Sequence, residues 1–170
     1  KDYVLVGGDF EIINENGETK YKHFFPTTNE SIRVCLAVTT CFAHGLAMYR
    51  RKTFFDAGGY DEKFIYAQDY DLWTRMVKIG KACNIPEIMY QWRLNSKGIG
   101  SLYSSKQTAS ADIIRKKYWK SFGIFGPAPR FRWNRIWPKK VSDENNPNER
   151  VKNLAILHGI FGKEYYARGR

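Results

Sequence analysis

The segment from Phe54 to Met76, FFDAGGYDEKFIYAQDYDLWTRM, constrains this chain more than any other. Leu72, Trp73, Met76 and then Val77 recur at a 3.6-residue period, which predicts an amphipathic helix from near Gln68 that Gly80 ends. Such a helix must bury its stripe against another layer. Gly58-Gly59 ahead of it permit a tight backbone approach, and the intervening loop can swing the chain so that the helix start faces a cleft. Two carboxylates, Asp69 and Asp71, stand at that start. Unpaired N–H groups and the macrodipole make a helix N-terminus locally positive, so position alone favours a structural role for both.

The rest of the chain supplies partners for the helix. Val4 to Gly7 reads as a buried strand, and Asp9–Ile13 with Thr19–His23 reads as a hairpin about Asn14-Glu15-Asn16-Gly17. Asn29 is the expected N-cap of a short helix with Ile32, Cys35 and Leu36 on one face. Cys41 to Tyr49 reads as a buried strand closed by Arg50-Arg51-Lys52, and Thr53 to Ala57 as a helical turn stopped by the glycine pair. Ile88, Tyr90, Trp92 and Leu94 alternate with Met89, Gln91 and Arg93, the pattern of a strand with two unlike faces. Ser104 or Ser105 is expected to cap a long helix carrying Ile113, Ile114, Lys117, Tyr118 and Phe122 roughly along one side, with Gly123 as terminator.

At 170 residues and 43% hydrophobic content the chain can bury a sizeable core. No stretch approaches the roughly 18 to 20 apolar residues of a membrane span, and no signal peptide is visible, so the segment is expected to be soluble. Cys35, Cys41 and Cys83 are odd in number and lack CxxC spacing, which suits reduced core thiols in a cytosolic protein. His23, His44 and His158 fall in no metal-ligand spacing. The net charge of +11 is uneven: residues 1–100 carry 13 Lys and Arg against 12 Asp and Glu, residues 101–170 carry 15 against 5. This split, with the prolines and the Arg/Trp-rich run Arg130 to Trp137, divides the chain at residues 1–123 and 124–170. The second part reads as a basic, aromatic arm and a terminal helix from Asn148-Glu149.

In order, Leu46-Ala47-Met48-Tyr49-Arg50-Arg51, the turn Gly58-Gly59-Tyr60-Asp61-Glu62 and the helix Gln68-Asp69-Tyr70-Asp71-Leu72-Trp73-Thr74-Arg75 resemble the acceptor-side half of the family-2 glycosyltransferases with the GT-A fold. The resemblance covers roughly residues 1–120. It implies an α/β chain: a partial GT-A-like (nucleotide-diphospho-sugar transferase) fold without its N-terminal nucleotide-binding half, followed by the helical basic tail. It also implies inverting transfer of a sugar from a nucleotide-diphosphate donor to an acceptor hydroxyl. Asp69 stands at the family's catalytic base, which removes the acceptor proton as the diphosphate leaves.

By the same resemblance Gln68, His44, Gly45, Gly59 and Trp73 belong to substrate binding. Gln68 stands where the family often has Glu, which keeps hydrogen bonding but removes a charge. His44 divides between substrate contact and a satisfied buried histidine, and Trp73 between the acceptor and the core. Asp71 is expected to be structural, and Arg50 and Arg51 to bridge carboxylates such as Asp61 or Glu62 or to remain surface charge. Asn95 takes the place of a late family histidine near the metal and diphosphate, and amide oxygen is the weaker ligand.

A divalent metal, Mg or Mn, is expected for the complete enzyme, with its main ligands outside this chain, because no D-x-D precedes the acceptor region. The isolated chain is therefore expected to bind nucleotide sugar poorly and to turn nothing over. The implied partners are a UDP- or GDP-sugar donor and a carbohydrate or lipid-linked acceptor. The aromatics of the arm either pack back onto the domain or, interleaved with its cations, meet an anionic membrane surface at the cytoplasmic inner face, ahead of nucleic acid. The competing reading is a non-catalytic binding or assembly domain derived from a glycosyltransferase.

Overall fold

The computed structural model describes residues 2–95, 98 and 102–121. Within them the elements run β1 (Tyr3–Ile13), β2 (Thr19–His23), α1 (Asn29–Leu36), β3 (Met48–Tyr49), α2 (Arg51–Asp56), α3 (Gln68–Met76), β4 (Lys81–Arg93) and α4 (Ser104–Lys120). The arm 124–170, with its predicted last helix, and the expected stop at Phe122-Gly123 lie outside the described residues.

The sheet is mixed and is organised by β1. β4 pairs parallel along its whole length, from Tyr3↔Lys81 to Ile13↔Arg93. β3 pairs antiparallel with Leu5 and Val6, and β2 antiparallel with Phe10 to Ile13. A strand has two edges, so β2 and β3 share the one that β4 leaves. Flanked on both sides, β1 buries Leu5, Phe10, Ile12 and Ile13, which accounts for its nearly unbroken apolar run. Parallel pairing demands a long crossover, and the chain between β2 and β4, with α1, α2 and α3, supplies it. The β1–β4 register slips between Gly8↔Ile85 and Asp9↔Ile88. Pro86 sits at the slip, where a residue without an N–H can break a ladder at least cost.

The helix stripe of α3 is buried as its period predicts: Leu72, Trp73 and Met76 are fully enclosed. α3 packs against β1, α1, α2 and α4. α4 is locked to α1 by donors aimed at the carbonyls a helix C-terminus leaves unpaired. Tyr118 Oη donates to Arg33 O (3.2 Å), Trp119 Nε1 to Ala37 O (2.6 Å) and Arg115 Nη1 to Val38 O (3.0 Å). From α3, Tyr70 Oη donates to Leu36 O (2.5 Å).

The hairpin turn forms where Asn-Gly predicts it, with Gly17 N donating to Asn14 O (3.1 Å) at φ 88°. Several expectations change. Thr28, not Asn29, caps α1, through a capping box with Ser31; Asn29 Oδ1 instead accepts from Ala82 N (3.1 Å). Cys41 to Tyr49 is not one strand. Only Met48–Tyr49 pairs, and the chain before it is a turn in which Leu46 N and Ala47 N donate to Ala43 O, both at 3.0 Å. β4 begins at Lys81, seven residues before the predicted alternation, and buries Ala82 and Asn84 while Ile88, Met89 and Trp92 are exposed. α4 opens after Tyr103 without a side-chain cap, and it turns Ala111, Ile114, Arg115, Tyr118 and Trp119 inward, leaving Ile113 exposed. The three cysteines are free thiols, of which Cys41 alone is buried. No described helix is long and apolar enough to cross a membrane.

Candidate active site at the start of helix α3

The site is built where the glycine turn delivers the chain to α3. α2 ends in Ala57, and Gly58 (φ 84°) and Gly59 (φ 67°) continue in the left-handed region that lacks a steric penalty only for glycine. Arg75, one helical turn after Asp71, holds this turn in place. Its Nη2 donates to Gly59 O (2.7 Å), its Nη1 to Ala57 O, and its Nε (2.9 Å) and Nη2 (2.7 Å) to Asp71 Oδ2. Asp71 is completely buried, and Lys117 Nζ reaches its other oxygen at 3.3 Å. Asp71 is thus a structural carboxylate: it aims the guanidinium that ties the turn to the helix.

Asp69 sits differently. Ala67, the residue before α3, has φ 60° and is the one non-glycine residue with positive φ among those described. That conformation costs an L-residue about 1–2 kcal/mol, and such strain gathers where the surrounding structure holds functional groups. It brings Asp69 to the first turn half-buried, with Oδ1 accepting from Tyr70 N (2.8 Å). Burial pushes the Asp69 carboxyl above its ordinary range, and the Tyr70 N–H and the charge of His44 pull it only part of the way back. A carboxylate with its proton affinity raised in this way is a stronger base than an exposed one.

His44 lies on the turn before β3, so the shortening of that strand is what brings it here. It is exposed rather than buried; Nε2 is 3.0 Å from Tyr60 Oη, and its ring meets Trp73 edge-on at 6.3 Å. Trp73 is fully buried, between His44, Tyr49 (5.5 Å) and Phe42 (5.9 Å), and forms the floor beneath the imidazole. Gly45 is exposed, and a Cβ there would come within 2.7 Å of Tyr90 Oη on β4. Gln68 opens α3 half-buried beside Asp69. The Gly59 carbonyl is taken up by Arg75.

Of the residues expected at the site, Asp69, Gln68, His44 and Trp73 therefore converge, and Gly59 serves the turn behind them. Arg50 and Arg51 do not bridge Asp61 or Glu62: Arg50 Nε donates to Tyr3 O (2.7 Å), and Arg51 lies over the Phe55 ring (5.6 Å). Asp61 faces Lys117 (3.9 Å) instead. Tyr49, Tyr60 and Ala67 were not anticipated. Tyr60 carried a signal in the sequence, a hydroxyl-bearing aromatic directly after the glycine pair. Ala67 carried none, because backbone strain leaves no compositional trace.

Among the described residues no group of three or more His, Cys, Asp or Glu side chains lies together to hold a metal ion. Asn95, at the end of β4, is exposed, and its backbone carbonyl accepts from Gly98 N (3.0 Å).

No family model matches the chain. It is similar to the O-antigen biosynthesis glycosyltransferase WbnJ of Escherichia coli, at 31% identity over 102 residues, 56% of this chain and 38% of that protein. It is also similar to the amylovoran biosynthesis glycosyltransferase AmsE of Erwinia amylovora, at 27% over 96 residues, 56% of this chain and 35% of that protein. An uncharacterized glycosyltransferase of Haemophilus influenzae matches at 28% over 58 residues, 34% of this chain and 18% of its own. The matches span less than two-fifths of the length of these curated relatives. The relatives are named glycosyltransferases, two of them of O-antigen and amylovoran biosynthesis.

Proposed function

We propose that this chain is the acceptor-side part of an inverting glycosyltransferase of family 2 with the GT-A fold, and that Asp69 is its general base. The observation that carries the reading is the environment of Asp69: a half-buried carboxylate with raised proton affinity, at the strained start of α3, beside His44. The glycosyltransferase names of the relatives favour the enzyme over a non-catalytic assembly domain.

In the proposed reaction the acceptor hydroxyl gives its proton to Asp69 Oδ2, while Tyr70 N–H steadies Oδ1. The acceptor oxygen forms its bond to the anomeric carbon from the face opposite the leaving group. The bond from that carbon to the diphosphate oxygen breaks, and its electron pair leaves with the nucleoside diphosphate. Exclusion of water around the half-buried carboxylate by bound acceptor keeps its proton affinity high enough for this role. Gln68, His44 and the exposed backbone at Gly45 are the proposed contacts to substrate, with Trp73 fixing the imidazole from below. The donor is a UDP- or GDP-sugar bound by protein beyond the described residues, and the acceptor a carbohydrate or lipid-linked hydroxyl at the cytoplasmic membrane face.

Sugar transfer from a panel of UDP- and GDP-sugars, measured with the longest polypeptide that carries this chain, tests the reading. Asp69→Asn should lower transfer by about 10²–10⁴-fold, the usual contribution of a positioned acid or base, with donor affinity nearly unchanged. Near wild-type transfer by that variant would refute Asp69 as the base.

A further inference from the structure

The proton-transfer step leaves one cluster beside Asp69 without a role. Tyr60 follows the glycine turn, and its ring meets Phe54 (5.5 Å) and His44 (6.1 Å) edge-on. Its hydroxyl lies 3.0 Å from His44 Nε2, and Tyr49 acts on the same hydroxyl electrostatically. Tyr49 in turn is held by stacking on Phe54 (5.7 Å, 20° between planes) and by contact with Trp73. The imidazole therefore meets the Trp73 ring and, at Nε2, the Tyr60 hydroxyl. Both His44 and Tyr60 act electrostatically on Asp69.

We propose that Tyr60, backed by Tyr49, is a positioning residue: its hydroxyl donates to Nε2 of neutral His44 and so fixes the tautomer and orientation of the imidazole beside Asp69. This rests on the reading of Asp69 as the base. Burial and Tyr49 push the Tyr60 hydroxyl up to about 12, so it keeps its proton throughout the working range. With the Tyr60 proton on the Nε2 side, the proton of neutral His44 stays on Nδ1. The titratable groups facing this imidazole are Tyr60 from the turn and Asp69 from α3, with Tyr49 of β3 acting on Tyr60. No described lysine or arginine is bonded to any of the three.

The direct test is ¹⁵N NMR of the histidine side chains at about pH 8, where an ordinary imidazole is neutral. Wild type should show His44 with its proton on Nδ1. Tyr60→Phe keeps the ring packing against Phe54 and should give a mixture of tautomers, and Tyr49→Phe should shift the pattern in the same direction by less. In a transfer assay Tyr60→Phe should lose about tenfold in kcat with donor KM unchanged, the loss expected when one hydrogen bond that orients the imidazole is removed. A His44 protonated on Nε2 in wild type, or a nitrogen pattern unchanged in Tyr60→Phe, overturns the proposal while leaving Asp69 in place. Full transfer by Asp69→Asn overturns the base itself, so the two failures are told apart.

Discussion

Replacing Arg75 with methionine should destabilise this chain more than almost any other half-buried substitution. Its guanidinium serves three acceptors in two elements, Asp71 Oδ2, Gly59 O and Ala57 O. Methionine fills the stem but leaves Asp71, fully buried, with Lys117 at 3.3 Å as its remaining cationic partner. Breaking a buried ion pair from one side costs about 3–5 kcal/mol. Lys117 is more than half exposed, retains part of the compensation and puts the expectation near the lower bound, about 3 kcal/mol. The turn carbonyls add little, since Ala57 and Gly59 are only half-buried and water can reach them. At 2–4 °C per kcal/mol for a chain of this size, the melting point should fall by about 6–12 °C. Urea unfolding at pH 7, followed by tryptophan fluorescence, measures the loss. The double variant Asp71→Ala/Arg75→Met should be less damaging than the two single losses added, by about 1–3 kcal/mol, because it removes the stranded charge. An Arg75→Met variant within about 1 kcal/mol of wild type, or strict additivity, would show that the pair does not hold the turn to α3.

Ala67→Gly should raise stability by up to about 1 kcal/mol, since relief of left-handed strain exceeds the extra freedom of the unfolded glycine; a lower urea midpoint would contradict that strain. Asp69→Asn should melt higher than wild type at pH 7. The raised folded-state pKa of Asp69 means that its stability contribution is full below 3.8, the ordinary value, and is lost as pH rises through the folded value. The advantage of the asparagine should accordingly shrink as pH falls towards 3.8, and a gap independent of pH would exclude Asp69 as its cause. His23, packed between Phe10 (5.0 Å) and Phe25 (4.5 Å), is pushed down from 6.5 to about 4 by burial. Stability it supports above 6.5 should be lost as pH falls towards 4, and His23→Phe should flatten the urea midpoint between those values.

The periodicity of the chain made α3, the hairpin and the buried run of β1 legible, because each is a repeating pattern of apolar residues with a glycine or asparagine at its end. The strand expected over Cys41–Tyr49 failed for the opposite reason. An apolar run carries no record of which residues have a partner strand, and of this one only Met48 and Tyr49 pair, with Val6 and Leu5. The turn that replaced the strand is what carries His44 to Asp69. Likewise, nothing in the spacing of α4 could show that Arg115 would be spent on a carbonyl of the α1 C-terminus while Ile113 faced out.

The sequence by itself determined the order of elements, the glycine turn and the presence of two carboxylates at the head of one helix. Two residues apart, Asp69 and Asp71 point about 200° away from each other around the helix axis, so they must meet different surroundings. Which surroundings, only the tertiary structure decided. Arg75 and Lys117 converge on Asp71 inside the core, whereas the left-handed bend at Ala67, Tyr60 and His44 lie about a half-buried Asp69. Identical side chains two residues apart thus acquire a structural role and a proposed chemical one from burial and partners alone.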